Sequence, residues 1–259
     1  MEYLHIRVTI AEGIGRVTLA RPPVNAQNRR MREEIIAAFD MLSDHDKVRV
    51  VILSAEGNSF SAGADIKERR NFTGDPGEYI GHNRLTRGFF EAVADCEKPV
   101  ICLVDGPAIG AGFALMLQCD IMIVSDRAWF QMPEIDVGLA GGGRLVEKHL
   151  GRSWARMLYF TGRKVGGDEL YRLGTVMACL PPDQATALTE ELASEIAAKD
   201  LKALASIKRG FQMAEPMPER DAYRYEQSIT HDLSRRAETR ALQQAFGKKR
   251  KSNHESGEV

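Results

Sequence analysis

The sequence predicts an α/β fold with a β-rich first part and a helical C-terminal region. Apolar runs typical of strands alternate with stretches of helical periodicity up to about Gly151, and almost wholly helical patterns follow. Strands separated by helices are what a parallel sheet requires. The chain has 259 residues, 44% of them hydrophobic, so it can bury a substantial core as one large domain, alone or with a small appendage.

The first elements predict a hairpin and a helix. Apolar residues over 6–10 and 15–19 indicate two strands, with Glu12 and Gly13 in the turn between them. Over 29–42, apolar side chains recur at helical spacing and predict a helix. Three further apolar runs, separated by helical segments, predict central strands of the sheet, at 49–54, 99–104 and 120–124.

The region after Gly151 predicts helices and one short strand. The strand is expected over 176–180, just before Pro181 and Pro182 interrupt the chain. The charged tail from Lys248 lacks apolar periodicity, so we expect its end to be disordered. Four helices are predicted between the prolines and the tail, at about 183–199, 201–213, 218–232 and 235–247.

One stretch, residues 68–84, is polar and contains Gly-Asp-Pro-Gly. These features predict either a lid or a mobile surface loop. His82 lies in this stretch. A lone histidine in a polar loop is usually exposed to solvent, so we expect it to lie outside any site.

Two segments of small residues stand at strand ends. The first turn segment, residues 58–67, follows a buried-strand pattern and contains Ser61-Ala62-Gly63-Ala64; the second turn segment, residues 105–114, contains Gly110-Ala111-Gly112 and opens a helix. Small residues leave backbone N–H groups uncovered, and two such donors facing one carbonyl oxygen would form an oxyanion hole. Tight packing alone is the other interpretation of each segment.

Composition and charge exclude several classes of protein. The 35 basic and 36 acidic residues give a formal charge of -1, which argues against a general nucleic-acid surface. No apolar run approaches the roughly 20 residues that span a bilayer, and the N-terminus has no signal-peptide pattern. The four cysteines lack metal-ligand spacing and indicate reduced thiols of a cytoplasmic protein. No nucleotide-cofactor or metal motif is present, so we expect neither cofactor nor metal.

Taken in this order, the motifs resemble the crotonase (enoyl-CoA hydratase/isomerase) family over about residues 3–251. The resemblance rests on both turn segments and on four further motifs, at 19–26, 132–135, 160–163 and 245–250. It implies a crotonase-like ββα spiral core over 1–195, with a helical oligomerisation region over 196–259. It also implies a homotrimer or hexamer.

The resemblance assigns roles to individual residues. The backbone N–H groups of Ala64 and Ala111 fall on the oxyanion-hole donors, and Glu134 falls on the catalytic glutamate of the family's Pro-Glu motif. Its local sequence alone favours the other interpretation, in which Glu134 is an ordinary residue at the start of a loop. The basic run 248–251 could reach the CoA phosphates or could be a solvated tail. The residues implied to bind the acyl-CoA are Arg21, Val24, Ala26, Ala62, Ala64, Asp65, Ile66 and Lys67.

Two departures from the family pattern bear on the reaction. Ala114 occupies the position of the second glutamate of two-carboxylate hydratases, and a methyl group can neither hold nor deprotonate water. Residues 138–144 are about three residues shorter than the family's turn and lack its proline, beside the expected pocket. We therefore expect an acyl group other than a simple straight chain.

The resulting expectation is an enzyme of hydratase/isomerase type. It would act on an acyl-CoA thioester through an enolate, with one catalytic glutamate and with CoA as part of the substrate rather than a cofactor. A C–C lyase or hydrolase of the same family is the alternative within the enzyme class. A catalytically idle acyl-CoA-binding subunit is the alternative from another class.

Overall fold

The computed structural model describes residues 3–69 and 73–256, with side chains to residue 246 except that of residue 69. The backbone separates into two compact units, Met1–Lys199 and Asp200–Val259. Among the described residues, every helix is too short or too polar to cross a bilayer.

Within residues 3–69 and 73–199, the first unit contains nine strands in two sheets. The larger sheet has the order β1-β2-β3-β4-β6-β9, and the smaller one has the order β5-β7-β8. The hairpin of β1 and β2 is antiparallel, whereas every later pairing in the large sheet is parallel. The strands are β1 (Ile6–Ala11), β2 (Ile14–Leu19), β3 (Val50–Ala55), β4 (Val100–Val104), β5 (Ala108–Ile109), β6 (Ile121–Ser125), β7 (Trp129–Gln131), β8 (Lys164–Gly166) and β9 (Ala178–Leu180).

Helices cover both faces of the large sheet. Strand residues alternate between two apolar clusters, so that Val51 and Leu53 pack with α1 while Ile52 and Ile101 pack with α8. A short 3-10 helix, Glu134–Val137, follows β7. The α-helices of this unit are α1 (Arg29–Asp44), α2 (Ile66–Arg69), α3 (Pro76–Ala94), α4 (Ala111–Met116), α5 (Gly143–Leu150), α6 (Arg152–Thr161), α7 (Gly167–Arg172) and α8 (Pro182–Ala197).

The second unit consists of α9 (Leu201–Ala214), α10 (Glu219–Ser234) and α11 (Ala237–Ser256). Asp200 caps α9 by accepting from the N–H of Ala203 at 2.8 Å, and it also forms an ion pair with Arg236 at 2.6 Å. The disorder expected at the end of the tail is wrong as far as Ser256, because α11 continues through the charged residues to that point. The side chains of 248–251 lie outside the described residues, as do residues 257–259.

Most predicted strands and helices are confirmed within a few residues. The strand expected over 176–180 is shorter, and β8 is a strand that the helical pattern did not predict. The loop expected over 68–84 is wrong in its second half, since α3 begins at Pro76; residues 70–72 lie outside the described part. Asp75 caps α3 by accepting from the Gly77 N–H at 2.8 Å, and a proline suits the first turn of a helix.

Candidate active site

The two turn segments pack against each other without room for a side chain between them. Ile109 N–H donates to the Ser61 carbonyl at 2.9 Å. A Cβ added to Gly63 would lie 2.5 Å from the Ile109 carbonyl oxygen, and one added to Gly112 would lie 2.4 Å from that of Ser61. Both distances are far below any real Cβ contact, so glycine is required at both positions. Tight packing, one of the two interpretations of the small residues in these segments, is therefore observed.

The same contact brings Ala64 and Ala111 together at one cavity. Both residues line it, and Ala111 N lies 3.1 Å from the position of a Cβ on Gly63. Ala111 is the first residue of α4, so its N–H has no partner within the helix. Neither the Ala64 nor the Ala111 N–H donates to a protein acceptor within 3–69 and 73–256. Two backbone donors are thus available at the cavity wall.

Gln27 ties the two turn segments to a third stretch of chain. Its side chain is fully buried, and Nε2 donates to Ser61 Oγ at 3.1 Å and to the Ala111 carbonyl at 3.2 Å. Its backbone N–H donates to the Gly63 carbonyl at 2.7 Å. Sequence reasoning missed Gln27, whose one signal was its place directly after the motif at 19–26.

The cavity measures about 270 Å³ and is walled by five parts of the chain. The two turn segments supply small residues, the 3-10 helix supplies Glu134, and α3 supplies larger side chains. The segment before α5 supplies Leu139 and three small residues. Lining residues include Ala62, Gly63, Ala64, Ile66, Tyr79, His82, Asn83, Thr86, Phe90, Ile109, Gly110, Ala111, Ala114, Met132, Glu134, Val137, Leu139 and Gly142.

Glu134 brings a carboxylate to this cavity at the start of the 3-10 helix. Its Oε1 atom lies 2.9 Å from the position of a Cβ on Gly110, which has a φ of +52°, and its Oε2 atom is shielded from solvent. Burial raises the pKa of Tyr159, and the negative charge of Glu134 raises it further. The Tyr159 hydroxyl donates to the Gly141 carbonyl at 2.5 Å and so holds the segment before α5.

Ala114 also lines the cavity, where it is 5% exposed. Its N–H continues α4 by donating to the Gly110 carbonyl at 2.9 Å, so only its methyl group is available to a ligand. Among the described lining residues, Glu134 is the only carboxylate. Proton transfer at this cavity therefore has one carboxylate to use.

The predicted acyl-CoA residues divide into cavity lining and an adjoining surface strip. Ala62, Ala64 and Ile66 line the cavity. The strip lies beside them, because Ala62 N–H donates to the Val24 carbonyl at 2.9 Å. Val24 and Lys67 are exposed on it.

Arg21 fixes the strip by two contacts. Its guanidinium donates to the Ala26 carbonyl at 2.6 Å and forms an ion pair with Asp65 at 2.8 Å. Burial would raise the pKa of Asp65, but the hydrogen bonds from Arg21 and from the Lys67 N–H outweigh it and hold that pKa below its usual value. Both charged groups are therefore engaged within the protein.

Helix α3 contributes a wall that the sequence prediction left out. Tyr79, His82, Asn83, Thr86 and Phe90 line the cavity at spacings of three and four, which places them on one helical face. The expectation that His82 is exposed is wrong, since it is 8% exposed. The signal that could have found this wall was Asp75-Pro76 as a helix start, followed by that spacing.

Comparisons with known proteins agree with one another. The enoyl-CoA hydratase/isomerase family model matches residues 9–257. A protein of Rhodococcus jostii (strain RHA1), named (7aS)-7a-methyl-1,5-dioxo-2,3,5,6,7,7a-hexahydro-1H-indene-carboxyl-CoA hydrolase, is 35% identical over 230 residues, or 87% of each chain. A probable enoyl-CoA hydratase of Rhizobium meliloti (strain 1021) is 30% identical, covering 97% of this chain and 98% of that one. The crystal structure of an enoyl-CoA hydratase from Mycobacterium smegmatis gives a TM-score of 0.91 at 28% identity, over 95% and 97% of the chains.

Proposed function

The chain belongs to the enoyl-CoA hydratase/isomerase family, whose members act on CoA thioesters, and we propose that it forms and uses a thioester enolate. The observation that supports this proposal is the single cavity that holds two backbone donors and one carboxylate. CoA enters as part of the substrate, and the proposed reaction needs no cofactor or metal.

The proposed first step is removal of the proton from C2 by Glu134. As the C–H bond breaks, its electron pair forms the C1–C2 double bond and negative charge moves onto the thioester oxygen. The N–H groups of Ala64 and Ala111 donate to that oxygen and stabilise the charge. Because both donors are backbone groups fixed by glycine contacts, they need little reorganisation as the charge develops.

A single carboxylate suits isomerisation of a double bond better than hydration. Glu134 can take the proton from C2 and return it at C4, so that one group serves both transfers. Two-carboxylate hydration is disfavoured, because Ala114 cannot position water. Hydration with one glutamate would need a water held by other lining groups.

Hydrolysis is the second candidate, because a relative that is 35% identical is named as a carboxyl-CoA hydrolase. A C–C bond at C2 is the bond whose hydrolysis a thioester enolate would support. Water would add to a ketone carbonyl attached to C2 of the acyl group. Glu134 would take a proton from that water, and cleavage of the bond from the former carbonyl carbon to C2 would release a carboxylic acid and the same thioester enolate. The protonated Glu134 would then return its proton to C2. Both candidates share the oxyanion hole, so they differ in the acyl group rather than in the stabilised intermediate.

Exchange of the C2 protons of hexanoyl-CoA with deuterated water tests the shared step. Glu134→Gln keeps the shape and removes the titratable group, so the exchange rate should fall by roughly 10²–10⁴-fold while hexanoyl-CoA still binds. Full exchange in Glu134→Gln would mean that another group moves the proton. No exchange in the unaltered protein, with binding retained, would favour the idle acyl-CoA-binding subunit.

Ala111→Pro tests the oxyanion hole. Proline is tolerated at the first position of a helix and removes one N–H, so exchange should fall by about 10²-fold. Ala111→Gly is the matched control, since it keeps the N–H and should retain exchange. Equal rates in the two variants would refute the donor role of Ala111.

Ala114→Glu asks whether the missing carboxylate limits hydration. We expect it to raise water addition to a short enoyl-CoA, followed by loss of the enoyl absorbance. An unchanged rate, with the substrate still bound, would argue that other features of the cavity exclude water.

We propose a homotrimer or hexamer as the assembly. Large apolar side chains of the C-terminal unit are exposed in the single protomer, including Phe211 at 71% and Phe246 at 65%. A monomeric mass in solution at micromolar concentration would contradict this proposal.

We propose a reducing compartment such as the cytoplasm. The four cysteines form no disulfide, and burial raises the pKa of the Cys102 thiol, which makes its reactive thiolate scarce. Fractionation of the source cells would test this location.

A further inference from the structure

The opening of the cavity is edged by large apolar side chains. Tyr79 of α3, Val137 of the 3-10 helix and Leu139 after it all line the cavity, and they are between 39% and 53% exposed. A side chain that lines a cavity and also meets solvent lies at the opening. These three residues, the apolar rim, come from separate parts of the chain, so the rim belongs to the folded cavity and not to one segment.

The apolar rim borders the same cavity as the two backbone donors. CoA is larger than a cavity of about 270 Å³, so a thioester whose oxygen lies at the N–H groups of Ala64 and Ala111 must extend out of it. Every acyl-CoA bound at these donors therefore passes through the opening that the rim borders.

Polarity decides which part of the ligand can cover the rim. CoA consists largely of phosphate and amide groups, and covering a polar group without giving it a hydrogen bond is costly. The side chains of Val137 and Leu139 have no hydrogen-bonding group. An apolar acyl group is the better match, because each CH₂ that it fully buries tightens binding by about fourfold.

The interior of the cavity suits the same kind of group. Phe90 and Met132 line it with apolar side chains. Two polar residues of the α3 wall have contacts within the protein: Thr86 Oγ1 donates to the His82 carbonyl at 2.8 Å, and His82 Nδ1 lies 3.4 Å from Nη1 of Arg32. An acyl group can therefore meet apolar side chains both inside the cavity and at its rim.

Building on the proposed function, we propose that the substrate carries a large apolar acyl group, which fills the cavity and extends over the apolar rim. Tyr79, Val137 and Leu139 are then specificity-determining residues, because they contact the part of the acyl group that a short thioester lacks. The inference concerns the apolar extent of the acyl group. It does not depend on branching or on which reaction follows enolate formation.

A series of straight-chain thioesters measures this apolar extent. Calorimetry on the unaltered protein would compare butanoyl-, hexanoyl-, octanoyl-, decanoyl- and dodecanoyl-CoA. A CH₂ that is half buried at the rim should tighten binding by about twofold, so we expect about fourfold for each added pair of carbons. Equal affinities from hexanoyl-CoA onward would refute the proposal.

Exchange of C2 protons, measured on the same thioesters, lets the two proposals fail separately. Exchange in hexanoyl-CoA combined with no dependence of affinity on chain length would overturn the large acyl group and leave the proposed function standing. If no thioester of the series bound or exchanged, the proposed function itself would be refuted, and the inference that rests on it would fall too.

Variants of the rim then assign the length dependence to these side chains. Leu139→Asn and Val137→Thr replace apolar groups by polar ones of similar size. We expect each to lower the ratio of dodecanoyl-CoA affinity to butanoyl-CoA affinity by about fivefold. Met41→Gln, at a 38% exposed residue of α1 outside the cavity lining, is the matched control and should keep the ratio. An unchanged ratio in both rim variants, folded as judged by circular dichroism, would refute the role of the rim.

A second copy of the chain is the rival occupant of the rim. Sedimentation velocity on Leu139→Asn separates the two, since a contact between copies would weaken the assembly. A smaller assembly with an unchanged affinity ratio would show that a second copy covers the rim and would overturn the proposal. We expect the reverse, a lowered ratio in an assembly of unaltered mass.

Discussion

Gly110→Ala tests the link between the backbone of the second turn segment and the carboxylate of Glu134, which we propose as the catalytic group. Gly110 has a φ of +52°, and an added Cβ would lie 2.9 Å from Glu134 Oε1 and 4.0 Å from Pro133 Cδ. The nearest atom is thus the end of the one carboxylate that the proposed mechanism uses. The substitution leaves the titratable group in place and changes only its position.

Two costs follow from this geometry. Gly110 combines a φ of +52° with a ψ of -117°, a conformation that residues other than glycine rarely adopt. Forcing alanine into it should lower the free energy of unfolding by about 1–3 kcal/mol. The carboxylate must also move by about half an ångström to restore an ordinary contact. Because misplacement of a reacting group by 1 Å can cost about 10²-fold, we expect C2-proton exchange to fall by about 10-fold or more.

Gly174→Ala is the matched control for backbone strain. Gly174 has a φ of +75° and nothing within 4 Å of an added Cβ, so it should lose similar stability without losing exchange activity. Chemical unfolding and deuterium exchange into hexanoyl-CoA would be measured on both variants. Unaltered exchange in a folded Gly110→Ala protein would refute the argument that this glycine keeps room for the carboxylate.

Three further predictions concern the frame around the cavity. Gln27→Leu removes the side-chain hydrogen bonds to both turn segments. It should lower the free energy of unfolding by about 1–3 kcal/mol, measured by urea titration, and should also slow the exchange of C2 protons. Gly112→Ala places a Cβ 2.4 Å from the Ser61 backbone oxygen. We therefore expect the free energy of unfolding to fall by about 3 kcal/mol or more, which is a larger loss than in Gly110→Ala. Burial would raise the pKa of Glu34, but two backbone N–H bonds and Arg30 hold it below its usual value. The stabilisation from ionised Glu34 should therefore be complete above about pH 5 and be lost as the pH falls through the lowered pKa. Between about pH 5 and 3, the free energy of unfolding should decline less steeply in Glu34→Gln than in the unaltered protein.

The crotonase-like ββα spiral core that the resemblance implies is confirmed. Individual elements within it could be predicted from local patterns alone. Strands such as β3 and β4 are continuous apolar runs, and α1 has a clear helical repeat. Helix α3 was mistaken in part for a loop because its first residues are polar and contain two glycines. The signal for it in the sequence was Asp75-Pro76, a pair typical of a helix start.

The residues of the candidate site differ in how far the sequence could predict them. Glu134, Ala64 and Ala111 came from the resemblance, since an alanine carries no chemical signal and its backbone N–H is invisible in a sequence. Gln27 acts through hydrogen bonds to residues far along the chain, and only folding brings these residues together. The contact of His82 Nδ1 with Arg32 Nη1 likewise joins residues 50 positions apart, so the sequence alone does not reveal it.

The packing of the turn segments separates what is fixed in this site from what can vary. Gly63 and Gly112 touch backbone atoms of the opposite segment, so the positions of the two donors are set by main chain and cannot be tuned by side-chain exchange. Ala114 and the α3 face line the same cavity outside these backbone contacts, so their side chains can change without moving the donors. If enolate formation resides in the first group and acyl selection in the second, substitutions on the α3 face should alter which thioester binds while C2-proton exchange on bound substrate persists.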